Sequence, residues 1–362
     1  MFVMLHMSDL HIGDRIKWRG TAHYAQPGRT PPPLPLLHGQ HGHDELVAWH
    51  LTNEWAQLLD TWPETKVVVS GDLTRTGVGE EYGLAHRFIH AYWLWYPPSP
   101  FWYGLGQGGR SPVSQGGSPT GFAWLGPDQK GYLAPTIPGN HDYWGGGWKM
   151  ARVNRAVLEP HFWPLPWLYP YEDSTKKYEI HLVGLDSCSG LAGLAWNQFW
   201  AKGAIDSNCI KKAAVLFANA KASAKRPVLR VVTVHHPPEK LVDWSRQEFA
   251  TWLENNNVHV ILTGHTHIPS PQLDAQGQTK PAASSLVGGT TATYEMRCGT
   301  TLQAGTATHL PGPSPNHFFV HSLSPTLAGK ALRVEWVTES YEHNGIKWMR
   351  TGTVFQHLLA PI

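Results

Sequence analysis

Five short apolar runs in this 362-residue chain each stop at side chains that bind metal ions. They are Phe2-Val-Met-Leu-His-Met-Ser-Asp9-Leu-His11, Lys66-Val-Val-Val-Ser-Gly-Asp72, Ala134-Pro-Thr-Ile-Pro-Gly-Asn140-His141-Asp142, Val231-Val-Thr-Val-His235-His236-Pro-Pro and Val258-His-Val-Ile-Leu-Thr-Gly-His265-Thr-His267. Aliphatic, β-branched runs of this length fill strands covered on both faces. A run that stops at Gly and then an acid, as at Asp72, sets the acid at the carboxyl edge of a sheet, where open α/β sheets bind ligands. Carboxylate and amide oxygens mixed with imidazoles suit manganese, iron or zinc better than magnesium or calcium alone. Asp9 and His11 lie two apart on an extended chain, share one face and can hold one ion, and His265 and His267 can do the same.

In chain order, the blocks Asp9/His11, Gly71-Asp72, Gly139-Asn140-His141-Asp142, His235 and Gly264-His265-Thr266-His267 resemble the calcineurin-like metallophosphoesterases over residues 1 to 290. The double histidine before two prolines at 235 to 238 looks most like the class III cyclic-nucleotide phosphodiesterase branch. The resemblance implies an α/β fold, a four-layer αββα sandwich of two mixed β-sheets with long loop insertions. It also implies two metal ions, one held by Asp9, His11, Asp72 and His267 and the other by Asp72, Asn140, His235 and His265, with Asp72 bridging. His141 would stabilise or protonate the leaving oxygen, and Asp142 would orient it. Arg75 could meet a phosphate oxygen or ribose of the substrate, and His236 could reach its phosphate.

Two ions answer a physical need. A phosphate ester is anionic and repels hydroxide, and two cations about 3.5 to 4 Å apart clamp its oxygens and lower the pKa of a bridging water from 15.7 toward about 7. The expected nucleophile is that bridging hydroxide. A lone side-chain base, worth about 10²- to 10⁴-fold, falls far short of the roughly 20 kcal/mol that the slowest phosphate esters demand. The expected activity is hydrolysis of a small phosphoester, a nucleotide-type phosphodiester first. A phosphomonoesterase or nucleotide pyrophosphatase, a nuclease and a non-catalytic scaffold are the alternatives, in that order.

Composition narrows the partners. A net charge of +2 with 15% charged residues gives no basic field, so nucleic acid is not the expected ligand. The three cysteines, Cys188, Cys209 and Cys298, are widely spaced and follow neither a disulfide nor a thiolate-zinc pattern. With a strand beginning at Phe2, no secretory segment and no apolar run of membrane length, a cytoplasmic protein without membrane contact is expected. Oligomeric state is left open.

The elements that must position these residues are legible in part. Val47, Leu51, Trp55, Leu58 and Leu59 follow helical spacing from Asp44 to Asp60, with Asp44 as N-cap, and Ala85, Phe88, Ile89, Tyr92 and Trp93 predict a second helix. A strand over 178–186, a helix over 206–221, a strand over 228–234 and a short helix over 247–254 follow, and strands near 284–287, 317–321 and 331–337 are expected in the second sheet. The chain reads as one domain, 1–362, with a Pro/His-rich loop at 12–45, a Gly/Pro/Trp-rich insertion at 97–131 and C-terminal strands over 284–362 completing the second sheet. Gly104 to Gly109 spells G-x-G-x-x-G but follows no strand and precedes no helix, so it is not a dinucleotide site. His38, His41, His43 and His50 lack a Cys or a His-Glu-x-x-His pattern and read as loop, not as a third metal site. The many tryptophans read as filling for the insertions rather than as a stacking wall.

Overall fold

The apolar runs form strands buried on both faces. In the computed structural model β1 (Phe2–Met7) is buried at every position, and β2 (Lys66–Val69) at all but Lys66. The structure describes residues 1–12, 45–75, 77, 94–96, 101–103, 135–144, 161–162, 164–189, 202–266, 293–298, 316–329, 331–344 and 347–362, with single positions at 81, 82, 85, 88, 89 and 158. Between the first two strands runs α1 (Glu45–Thr61), whose Leu51, Trp55 and Leu58 are spaced by four and three and are buried. A hairpin of β3 (Leu94–Tyr96) and β4 (Phe101–Tyr103) stands apart, and α2 (Asn140–Trp144) begins on a predicted ligand.

Next come β5 (Trp167–Glu172), β6 (Glu179–Gly184), α3 (Ser207–Ser223), β7 (Val228–Thr233), α4 (Asp243–Asn255), β8 (Val260–Thr263) and β9 (Tyr294–Arg297). Three long strands close the chain, β10 (His317–Ala328), β11 (Ala331–His343) and β12 (Trp348–Leu359). Two five-stranded sheets result, in the orders β12-β11-β10-β1-β2 and β5-β6-β7-β8-β9. In the first, β1 and β2 are parallel and the other pairs antiparallel. In the second, β5 runs against β6, while β6 to β9 are parallel. The expected α/β architecture is there, two facing mixed sheets flanked by helices.

Strand alternation divides the second sheet's side chains between two cores. Ile180, Leu182, Leu229, Val231, Val260 and Leu262 face inward and join Phe319, Val320 and Trp336 of the first sheet. Val183, Val232, Val234 and Ile261 face outward and are covered by Phe217 of α3 and Phe249, Trp252 and Leu253 of α4. Asp206 caps α3 by accepting the N–H of Asn208 at 2.8 Å, an arrangement worth about 1 kcal/mol. No helix among the described residues is long and apolar enough to cross a membrane.

The expected helices at 44–60 and 206–221 stand within two residues of those positions, and α4 starts four residues before its expected 247. Asp44, 284–287 and most of the insertions at 12–45 and 97–131 lie outside the described residues. Beyond residue 284 the chain supplies β9 to the second sheet and β10, β11 and β12 to the first. Two strands carry no clear period in the sequence. β5 holds Pro170 and is an edge strand, where a missing N–H costs no ladder bond. β12 is an edge of the other sheet and is largely exposed, its apolar residues following no alternation.

The inter-sheet core also holds buried histidines. His6 of β1 and His321 of β10 lie with ring centroids 5.6 Å apart, and Trp336 Nε1 donates to His321 Nδ1 at 3.2 Å. Burial pulls His321 down to about 3, and burial with the neighbouring His321 and His317 holds His6 well below the usual imidazole value. Both rings are therefore neutral in the folded chain and free to protonate in the unfolded one. Their contribution to stability is intact above about pH 6.5 and is lost as pH falls, by about 1.4 kcal/mol per unit for each histidine. Urea midpoints measured from about pH 6.5 downward should show this slope, and His321→Gln should make it shallower.

Candidate metal centre

Four parallel strands, two from each sheet, end toward the same place. Asp9 follows β1, Asp72 follows β2, His235 follows β7 and His265 follows β8, while Asn140 follows Thr136, which bridges Val69 in parallel beside β2. The two loops of the first sheet run on in parallel: Asp9 N–H donates to Gly71 O at 2.9 Å and His11 N–H to Asp72 O at 3.0 Å. The second sheet is tied in through the site itself. His235 Nδ1 lies 2.9 Å from Ser70 O, and His265 N–H donates to the Asp9 carboxylate at 3.0 Å.

Six non-glycine residues have positive φ among those described, and four of them, Asp9, His11, Asp72 and His265, are predicted ligands. This region is sparsely populated by side-chain-bearing residues and persists only where surroundings enforce it. Here the glycines before the ligands do so by admitting other ligands. An added Cβ at Gly71, itself at φ +106°, would stand 2.5 Å from His235 Nδ1. At Gly139 it would stand 2.2 Å from Asp72 Oδ1, and at Gly264 it would overlap Ser8 Oγ and lie 2.7 Å from Asp9 Oδ2.

Asp72 is the centre of the cluster. It is buried, its Oδ2 lies 3.3 Å from His235 Nε2, and its Oδ1 accepts the N–H of His141 at 2.7 Å. Burial pushes this carboxyl up, but His235 and His141 outweigh it and hold it well below the usual carboxylate range. Burial likewise pulls His235 down, and Asp72 pushes it up to about 9. Asn140 Oδ1 stands 2.9 Å from His235 Nε2 and 3.0 Å from His265 Nδ1. Ser70 O can only accept, so His235 carries a proton on Nδ1 and its Nε2 lone pair faces two oxygens. Such a set of acceptors holds together only around positive charge, which a proton or a metal ion can supply.

Three triads have donor atoms within 4.8 Å of one another: Asp9, Asp72 and His235; His11, Asp72 and His141; and His235, His236 and His265. Asp72 belongs to two of them and His235 to two, so the residues present fit a pair of ions sharing ligands. The mix of imidazole and hard oxygen suits transition metals. His267 lies outside the described residues, as do His38, His41 and His43. His50 is elsewhere, its Nδ1 3.0 Å from His343 Nε2.

The remaining predicted residues have distinct surroundings. The His141 ring stands edge-on to His11 at 4.4 Å, and its Nδ1 lies 3.0 Å from Arg75 O. Asp142 is buried and accepts N–H groups of Gly139, Leu73 and Thr74 and the Thr74 hydroxyl, at 2.7 to 3.1 Å. It therefore fixes the backbone beside Asp72 and Asn140 rather than touching the His141 ring. Burial and the Asp72 charge push its carboxyl up to about 6. Arg75 and His236 are both buried, and Arg75 enters this network through its backbone carbonyl. Sequence reasoning missed Ser187, whose Oγ lies 2.8 Å from His236 Nδ1. The run before it, Ile180 to Leu185, ends at a strand edge like the other five, but serine is no metal ligand and gave no signal.

Two sheets whose parallel edges close on Asp, Asn and His side chains define a metallophosphoesterase. The sequence profile of the calcineurin-like phosphoesterases matches residues 2–269, and the chain belongs to that family, whose members hydrolyse phosphoric esters with a dinuclear metal centre. No curated protein sequence matches it. Among solved structures, GAP50, the anchor in the inner membrane complex of Plasmodium, is similar with a TM-score of 0.50 and 11% identity, over 100% of this chain and 89% of that one. The NAD nucleotidase NadN of Haemophilus influenzae has a TM-score of 0.38 at 13% identity, over 99% of this chain and 50% of that one. The sulfate thiohydrolase SoxB of Thermus thermophilus has 0.39 at 12%, over 99% and 56%. The chain thus spans about half the length of NadN and SoxB, and the likeness to GAP50 is one of fold.

The close approaches at the glycines can be tested directly. Gly139→Ala and Gly264→Ala should each lower metal affinity roughly 10- to 100-fold, as displaced ligand supports do, while the far-ultraviolet spectrum stays that of the folded chain. Metal titration by calorimetry checks this.

Proposed function

We propose that the protein is a dinuclear metal-dependent phosphoesterase acting on small nucleotide-type phosphodiesters. The observation that carries this reading is the gathering of Asp9, His11, Asp72, Asn140, His235 and His265 around the buried Asp72 carboxylate. With His267, these are the side chains that would hold the two ions, Asp72 shared between them. When bound, the ions supply charge neutralisation and Lewis acidity and make water a competent nucleophile near neutral pH. Manganese, iron and zinc are the metals the donor set favours.

The chain's own groups do the rest. His141 donates its Nδ1 proton to Arg75 O, which aims Nε2 at the cluster; as the imidazolium the ring carries a second proton on Nε2, which it passes to the departing oxygen, leaving the neutral ring. Asp142 holds the turn on which His141 sits. Arg75 and His236 are assigned to the substrate phosphate. Preference for a diester rests on the His235-His236-Pro237-Pro238 sequence and its likeness to the class III phosphodiesterases. Three buried free cysteines suit a reducing compartment, so we place the protein in the cytoplasm.

The metal-reconstituted protein should turn over bis-p-nitrophenyl phosphate faster than p-nitrophenyl phosphate. A strong monoester preference would move the reading to a phosphomonoesterase or nucleotide pyrophosphatase. Asp72→Asn should abolish metal content and activity together. His141→Ala should keep both metals by elemental analysis and lower kcat by roughly 10²- to 10⁴-fold. Loss of metal in His141→Ala would show that His141 is a ligand, as its place in the His11 and Asp72 triad also permits.

A further inference from the structure

A sixth strand end abuts the cluster from behind. After β6 the chain passes through Asp186, Ser187 and Cys188, all buried. Asp186 Oδ1 accepts the N–H groups of Cys188 at 2.8 Å and Ser189 at 3.1 Å, and Oδ2 accepts the Tyr143 hydroxyl at 2.5 Å, which fixes the turn. Ser187 Oγ lies 2.8 Å from His236 Nδ1 and also accepts the backbone N–H of His236 at 3.1 Å. A third segment closes on the same ring. An added Cβ at Gly203 would stand 2.5 Å from His236 Cγ and Nδ1 and 2.7 Å from Ser187 O. Gly203 is stitched in place, donating to Lys240 O at 2.8 Å and accepting from Val242 N–H at 2.9 Å, and Ala204 N–H donates to Ser187 O at 2.8 Å.

The hydroxyl decides which nitrogen of His236 carries the proton. Ser187 Oγ receives one N–H and has one proton of its own to give. Among the described residues its acceptors in reach are His236 Nδ1 and the adjacent Cys188 sulfur. The imidazole nitrogen is much the stronger acceptor, so Nδ1 takes the proton's hydrogen bond and the neutral ring carries its own N–H at Nε2. That Nε2 is buried with no hydrogen-bond partner among the described residues. Its ring lies 4.3 Å from that of His265 and 5.0 Å from that of His235. The neighbouring His235 has the opposite arrangement, because a carbonyl, Ser70 O, stands behind its Nδ1. Two adjacent histidines are thereby assigned opposite tautomers by what lies behind them.

We infer that His236 is a fixed hydrogen-bond donor to an anionic oxygen of the bound phosphoester, and that Ser187 is its positioning residue. This rests on the phosphoesterase reading above and sharpens it. An N–H nitrogen has no lone pair to give a metal, so His236 binds the substrate and not the ions. A buried donor left unmade is costly, and an anionic oxygen is the partner that repays it best.

The test uses the metal-loaded protein with inorganic phosphate as probe. Long-range ¹H–¹⁵N spectra of the wild type, with the His236 signals identified by their loss in His236→Gln, should show the proton on Nε2. His236→Ala should retain both metals and weaken inhibition by phosphate roughly tenfold or more, as loss of a charge-assisted hydrogen bond does. His236→Gln, whose side-chain amide keeps an N–H at similar reach, should recover most of that loss. Ser187→Ala should keep the metals, raise KM more than it lowers kcat, and let the His236 proton spread to Nδ1. A proton on Nδ1 in the wild type, metal loss in His236→Ala, or unchanged phosphate inhibition in that variant would each overturn the inference. A wild type that neither binds two metals nor hydrolyses phosphoesters would instead overturn the function proposed above, and the tautomer would still be read from the spectra.

Discussion

A carboxylate with almost no contact with water sets the terms for this molecule. Asp72 stays ionised although burial opposes it, because His235 and His141 bring positive charge or N–H groups to both of its oxygens. Removing one partner of such a buried pair leaves an uncompensated charge, an effect larger than most packing changes. Four different segments must therefore arrive together around it, at 9, 72, 140 and 235, and the two sheets must face each other to bring them there. The hydrophobic core between the sheets and the polar cluster at its rim are in this sense one structure: the first supplies the free energy, and the second fixes the register in which it is used.

The cost of that convergence is stored locally. Asp9, His11, Asp72 and His265 hold left-handed backbone conformations, which turn each side chain out of its strand line and back over the rim. Backbone strain of this kind amounts to about 1 to 3 kcal/mol at each residue, and the surrounding ladder bonds and apolar burial offset it. The glycines are interlocked with the ligands in a ring of close approaches: Gly71 lies under His235, Gly139 under Asp72, and Gly264 under Asp9. Three of the predicted ligands, His235, Asp72 and Asp9, thus depend on an absent side chain elsewhere, and the glycines that leave the room are those just before Asp72, Asn140 and His265.

Much of this was legible in the sequence because it depends on local rules. Apolar runs that end in Asp, Asn or His can be seen without coordinates, and so can the helical spacing of Leu51, Trp55 and Leu58. What could not be read is what depends on neighbours distant in sequence. β5 contains a proline that only an edge position tolerates, and the apolar residues of β12 follow no alternation. α4 begins early because the Val242 N–H is held by Gly203 O while its own carbonyl accepts the Arg246 N–H, a contact that no periodicity encodes. Ser187 is a common residue whose role comes entirely from where β6 leaves it. The partners of Asp142 include the N–H groups of Leu73 and Thr74, 69 and 68 positions away, which its own block could not reveal.

The hydrogen bond between Asp9 and His265 joins residues 256 positions apart, and the one between Ser70 and His235 joins residues 165 apart. A chain made from its amino end exposes Asp9 and Asp72 long before the strands carrying their partners have left the ribosome. The pocket therefore cannot close before β7 and β8 are made, and the loop-closure entropy of these long spans is met only then.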